Sequence, residues 1–401
     1  VSPDPGKDGP LAGVRVLDLT RILAGPYATM KLGDMGADVI KVERPGEGDD
    51  TRSWGPPFHK GLSTYFLAVN RSKRSITLDL KDEDGRAILT KLVAGSDVVI
   101  ENFRPGILEK QGFDWEKIQA INPRAIYCSI SGYGHHGERR DRASYDVIVQ
   151  GETGVQDLTG FPDGPPVKLG ISIADLTAGQ HAVEGILLAL FKRAKTGKGD
   201  RVDISLADGV LALLTYQAEM FLAGGAEPRR LGNAHPSIVP YQAFAAKDGF
   251  VNVGVGSESL WAKFTVAIGR PELAKDSRYA SNRDRVAARA TLVPDIEATM
   301  RGKTVAHWLE ALEAAGIPVG AINSVPRALE IARTEGRGMI ATVAHADAGP
   351  LEMVGNAVKI GSLGMAPGYL PPPRLGEHTD EVLREIGFGD RVADLRARGV
   401  V

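Results

Sequence analysis

A carboxylate at Asp175, in GISIADLTAG (Gly170 to Gly179), stands where an apolar, strand-like run gives way to a long amphipathic pattern. The apolar positions Leu176, Val183, Ile186, Leu187 and Leu190 predict a helix that closes at Thr196-Gly197-Lys198-Gly199, with Asp175 at its first turn. Unpaired amide N–H groups and the helix dipole favour negative charge there by about 0.3–1 kcal/mol, which predicts an ionised side chain at neutral pH. An ionised carboxylate is a nucleophile. The alternative role is a simple N-cap, worth about 1 kcal/mol.

The elements that must carry this residue follow an alternating order. Val14 to Leu19, Asp38 to Glu43, Ile76 to Leu80, Asp97 to Ile100 and Ala125 to Ile130 read as strands. Pro26 to Met35 and Glu83 to Val93 read as helices between them. That order predicts an α/β fold: a Rossmann-like large domain with a parallel sheet, whose ligands gather beyond the carboxyl ends of the strands. After the Asp175 helix come a short strand (Val202, Ile204, Leu206) and a connecting helix through Phe221. A hairpin turned at Asp248-Gly249 then opens a smaller α+β domain. The expected division is 1–200 for the large domain, 201–227 for a linker helix, 228–330 for the small domain and 331–401 for a segment completing the large one.

Composition narrows the function classes. With 401 residues, 43% apolar, and 48 basic against 50 acidic side chains, the chain lacks the general positive field that would attract nucleic acid or a membrane surface. No apolar run reaches membrane-spanning length, and the start VSPDPGKDGP carries no export pattern. The single cysteine, Cys128, excludes internal disulfides and suits a reducing compartment, so a cytoplasmic location is expected.

Basic residues could still hold an anion locally. Arg71, Lys73, Arg74 and Lys81 cluster in VNRSKRSITLDLK, and Arg44, Arg104 and Lys110 follow other predicted strand ends, together forming a candidate polyphosphate cradle. The first crossover lacks G-x-G-x-x-G, which argues against a nicotinamide or flavin dinucleotide, and no metal-ligand spacing appears.

LAGVRVLDLTRILAGPYAT, GADVIKVERPGEGDDTR, NRSKRSITLDL, ENFRPG, SISGYG and the Asp175 segment occur in this order in a chain that resembles the class III CoA-transferase family, which includes formyl-CoA transferase and α-methylacyl-CoA racemase. TRSWGPPF with NAHPSIVPYQAF is most similar to the succinyl-CoA:glutarate, or dicarboxylate, branch. The resemblance implies that Asp175 attacks an acyl-CoA thioester to form a mixed anhydride, and then carries CoA as an aspartyl thioester until an acceptor acid takes it. Acyl-CoA and a small carboxylic acid would be the substrates, with no permanently bound cofactor and no metal. It further implies CoA contacts at Leu23, Ala24, Arg44, Leu78, Asp79, Leu80, Lys81, Asn102, Phe103 and Lys110. An interlocked homodimer is implied too, with the site near the junction of one subunit's large domain and the other's small domain.

Gly254 and Gly256 are candidates for a loop that keeps water from the anhydride, and Gln150 for positioning acyl groups. Racemases of this family carry histidine at the Tyr145 position; tyrosine, with an ordinary pKa near about 10, is a poor base at neutral pH. This favours CoA transfer over the alternative, a 2-methylacyl-CoA racemase in which Asp175 moves a proton. A CoA-binding protein without catalysis is the third reading. Arg52, Arg139, Arg140 and His235 are candidate anchors for a second substrate carboxylate, and Trp54 either shapes the acyl pocket or is a packed aromatic.

Overall fold

The computed structural model describes residues 8–365 and 368–401. Six parallel strands form the main sheet: β1 (Arg15–Asp18), β2 (Asp38–Glu43), β3 (Arg74–Thr77), β4 (Val98–Glu101), β5 (Ile126–Ser131) and β6 (Arg201–Ser205). Their spatial order is β3-β2-β1-β4-β5-β6, which reverses direction between β1 and β4. That is a doubly wound, Rossmann-like arrangement, and the reversal opens a crevice beyond the carboxyl ends of β1 and β4.

The sheet is buried on both faces because neighbouring residues along each strand feed different cores. Val16, Val39, Val98 and Ile100 pack on one side against Ala24, Ala28 and Leu32 of helix α1 (Ala24–Asp34). Leu17, Ile40, Val42 and Val99 pack on the other against Ile88, Leu89, Leu92 and Val93 of a helix over Glu83–Ala94, together with Val382 and Leu383 near the C-terminus. The Asp175 helix, Ile173–Thr196, is 24 residues long and ends at Gly197 in the left-handed conformation, φ 72°. It packs on the first face through Ala178, Ala182, Ile186 and Ala189.

The chain divides into two compact units, one of residues 1–155, 168–219 and 331–401, the other of 156–167 and 220–330. The stretch expected as a linker helix contains the sheet's sixth strand and then two helices, Leu206–Leu213 and Thr215–Leu222, interrupted where Thr215 takes φ 39°. The second unit is built on a three-stranded antiparallel sheet of Tyr241–Ala245, Phe250–Gly254 and Val319–Ala321. Phe244, Val251, Trp261, Phe264, Leu292, Ile296 and Trp308 fill its core. Among the described residues no helix is long and apolar enough to cross a membrane.

Candidate active site

The segment Thr20-Arg21-Ile22-Leu23-Ala24 leaves β1 and turns into α1 at the sheet's point of reversal. Ile22 takes φ 71°, an uncommon conformation for a β-branched residue, and its N–H donates to the Asp49 carboxylate at 3.3 Å. Asn102 clamps the neighbouring residue on both sides: its Oδ1 accepts from Arg21 N–H at 2.8 Å and its Nδ2 donates to Arg21 O at 2.7 Å. Beneath lies a closed ion network. Lys41 pairs with Asp49 at 2.9 Å and Lys73 with Asp18 at 3.2 Å, all four side chains fully buried. Burial pushes the Lys73 ammonium down to about 8, with Asp18 opposing that shift. Burial alone would raise Asp18, but Lys73 and Lys41 overcome it and keep the carboxyl below its ordinary range.

On one side of this turn opens a cavity of about 180 Å³. Arg44, Leu78, Asp79, Leu80, Lys81 and Phe103 line it, so six of the ten expected CoA contacts converge there, joined by Thr20, Arg21 and Ile107. Arg21 lies over the Phe103 ring at 5.4 Å, and Arg44 is held by Glu47 and Asp50 at 3.1 and 3.0 Å. Leu23 caps α1 and is buried, Ala24 begins it, and Lys110 is exposed on the short helix that gives Ile107 to the cavity wall.

Three basic residues of the expected phosphate cradle are elsewhere. β3 begins at Arg74, two residues before the predicted strand, so Arg71, Lys73 and Arg74 lie at its amino end while the cavity sits at its carboxyl end. Arg71 is buried against Asp34 at 2.7 Å, Lys73 is in the network above, and Arg74 reaches Asp38, Glu381 and Glu385. Their charges are spent on the fold.

Asp175 is not among the residues that line this cavity. It lies one helical turn before Gly179, where a Cβ would come within 2.6 Å of Ala24 O. That close approach brings the first turn of the Asp175 helix against the start of α1. The Asp175 carboxylate accepts no hydrogen bond among the described residues. Burial and the nearby Asp146 raise it to about 7, which corrects the expectation of full ionisation at neutral pH. Desolvation and like charge outweigh the helix dipole here.

Tyr65, which the sequence reading did not single out, senses this charge: burial, then Asp175, Asp146 and Asp49, push its phenol up to about 12. Its ring meets Trp54 edge-on at 5.1 Å, placing that tryptophan, 39% exposed, beside the same site. Nothing periodic in Ser63-Thr64-Tyr65-Phe66 marks Tyr65, since only the tertiary fold brings it near Asp175.

Tyr145, 66% exposed, precedes helix Asp146–Glu152. Gln150 is fully buried, donating to Asp146 at 2.7 Å and accepting from Leu169 N–H at 2.9 Å. Arg52 is turned inward, forked onto Glu43 at 2.7 Å and stacked 3.7 Å from the Phe66 ring. Arg139 pairs with Glu152 and Arg140 with Asp141. In the second unit, Gly254 and Gly256 line a groove of about 680 Å³ with Asn233, Tyr241 and Gln242. His235 packs edge-on against Tyr241 at 5.3 Å, and burial, then Arg289, lowers its pKa. Among the described residues no cluster of His, Cys, Asp and Glu is placed to hold a metal ion.

The description "CoA-transferase family III" matches residues 11–379. The chain is 45% identical over 94% of its length to the succinyl-CoA:glutarate CoA-transferase of Mus musculus, covering 86% of that protein. It is 40% identical over 97% of its length to the succinate–glutarate CoA-transferase of Agrobacterium fabrum, covering 98% of it. A crystal structure of a CAIB/BAIF family protein from Brucella suis superposes with a TM-score of 0.83 at 42% identity, covering 94% of this chain and all of that one. With this fold, this carboxylate and a match that spans almost the whole chain, the protein is an enzyme that belongs to CoA-transferase family III.

Proposed function

We propose that this enzyme moves CoA from succinyl-CoA to a dicarboxylic acid such as glutarate, with Asp175 as the nucleophile. The observation that carries the reading is the Asp175 carboxylate: half-buried, without a hydrogen-bond donor among the described residues, and on a helix packed against the Thr20–Ala24 turn beside the cavity lined by Arg44, Lys81 and Phe103. A carboxylate oxygen attacks the thioester carbonyl, the C–S bond breaks, and a succinyl-aspartyl anhydride and CoA thiolate form. The thiolate attacks the aspartyl carbonyl and expels succinate, leaving CoA on Asp175 as a thioester. The acceptor carboxylate then runs the two steps in reverse and departs as its CoA ester. Each exchange conserves an activated acyl bond, so the chemistry balances without nucleotide hydrolysis.

A carboxylate titrating near about 7 is more basic, and so more nucleophilic, than an ordinary aspartate. Arg44, Leu78, Asp79, Leu80, Lys81 and Phe103 would hold the nucleotide end of CoA in their cavity. Leu23, Ala24 and Asn102 would hold the chain where it passes the turn. The enzyme works as a homodimer in this reading. Leu187, Leu188 and Phe191 on the Asp175 helix and Leu211, Leu213 and Tyr216 beyond it are exposed apolar groups that suit a second copy.

The decisive experiment incubates the enzyme with succinyl-CoA, traps with hydroxylamine or borohydride, and locates the adduct by mass spectrometry. Modification at Asp175 is expected, with Asp175→Asn losing at least about a thousandfold in kcat. An unmodified Asp175 during full turnover would remove the mechanism. A panel of dicarboxylic and branched acids assayed against succinyl-CoA identifies the acceptor.

A further inference from the structure

The start of the Asp175 helix is tied down by a second carboxylate from another element. Asp146, first residue of the helix Asp146–Glu152, accepts the Ala174 N–H through Oδ1 at 2.8 Å. Its Oδ2 accepts the Gln150 amide at 2.7 Å, and Gln150 in turn holds Leu169 N–H at 2.9 Å and Ile171 O at 3.3 Å. The strap runs from Leu169 to Ala174, the six residues immediately before the nucleophile. Ser172, the residue at the N-cap position, makes no side-chain cap, so Asp146 takes that role from a separate helix. A neutral acceptor such as serine or asparagine would satisfy the same N–H, so capping alone does not call for a charge here.

We propose that Asp146 is a positioning residue for the transfer reaction: it fixes the first turn that carries Asp175 and sets a second carboxylate beside it, keeping the attacking oxygens electron-rich. This rests on the reading of Asp175 as nucleophile. The field at Asp175 supports it, because among the described residues Asp146 is the charged side chain that, after burial, shifts it. Lys31 on α1, Glu152 beside Asp146, Asp208, and Arg201 and Asp203 on β6 belong to elements packed against this helix, and none of them contributes. Tyr65 senses both carboxylates together, which places them in one electrostatic neighbourhood. A nearby anion destabilises an ionised nucleophile and is relieved when that nucleophile becomes a neutral acyl adduct, so its effect favours reaction.

The test is Asp146→Asn, whose side-chain oxygen can still accept from Ala174 N–H, while the charge and the acceptor for the Gln150 amide are both lost. Expected are a folded enzyme, an acid limb of the kcat/KM–pH profile displaced downward by about one unit, and a several-fold lower rate at pH 8 where Asp175 is ionised in both proteins. A carbon-13 titration of the Asp175 carboxyl, assigned from the spectrum lacking that signal in Asp175→Asn, must move the same way whatever the activity. If asparagine does not fold, Asp146→Ser carries the same titration. An unmoved Asp175 midpoint in a folded variant would overturn the proposal. If Asp175→Asn itself turned over at the parent rate, the mechanism would be what had failed, and the Asp146 titration would still report the charge effect on its own.

Discussion

A half-buried carboxylate beside another carboxylate works against the fold that carries it. Asp175 titrates near about 7 in the folded chain against an ordinary 3.8, so the folded protein holds a proton that the unfolded chain releases in between. The contribution of Asp175 to stability is therefore most favourable below about pH 4, falls as pH rises through the range up to about 7, and stays at the lower level above it, opposite in sign to that of Asp18, whose lowered carboxyl favours the fold above its ordinary range. Asp175→Asn removes this penalty. Its melting temperature should exceed the parent's at pH 8 by the equivalent of about 1–3 kcal/mol, with the gain vanishing near pH 4. Equal melting at both pH values would show that the carboxylate is not desolvated. The place of Asp175 in the first turn of a long helix was legible from the junction of apolar run and helix pattern. Its protonation was not, because the helix terminus is a local feature whereas Asp146 and the burial arise from folding. Tyr65 escaped notice for the same reason, and the Arg71–Arg74 cluster misled because charge in a sequence does not say which end of a strand it will occupy.

At the scale of elements, the site depends on how closely two helices meet. Ala24 O lies where a Cβ on Gly179 would come within 2.6 Å, and neither backbone can yield without shifting a helix. Gly179→Ala should displace the first turn of the Asp175 helix from the Thr20–Ala24 turn, lowering kcat by about tenfold or more and the melting temperature by several degrees. Gly256→Ala is the contrast: a Cβ there meets nothing within 4 Å, and melting should be unchanged. Whether that variant keeps its kcat measures the glycine's functional worth separately from its structural one. Helix and strand identities in the first half of the chain were readable because apolar periodicity switches cleanly between them. Boundaries were less so. β3 starts at Arg74 rather than Ile76 because the Arg74 backbone is paired with Ile40 while its side chain is neutralised by Asp38. The helix expected to run unbroken through Phe221 divides at Thr215, with no glycine or proline there to announce it.

Over the whole molecule, the alternating elements announced a parallel sheet, but the spatial order of its strands and its sixth member were set by packing that no local pattern encodes. The same topology sorts the positive charges into two populations. Lys41 and Lys73 are buried in pairs with Asp49 and Asp18 under the first turn, Lys41 and Asp49 forming part of the cavity wall, whereas Arg44 and Lys81 are exposed at the same cavity. Raising salt from about 50 mM to about 500 mM shortens the reach of exposed charges far more than of buried ones. The KM for acyl-CoA should rise several-fold over that range, while the melting temperature moves by no more than about 2 °C. Parallel changes in both would contradict this sorting. The buried quartet thus lets the scaffold ignore ionic conditions to which substrate capture responds, so the enzyme's occupancy by its thioester can vary with its surroundings without the protein loosening.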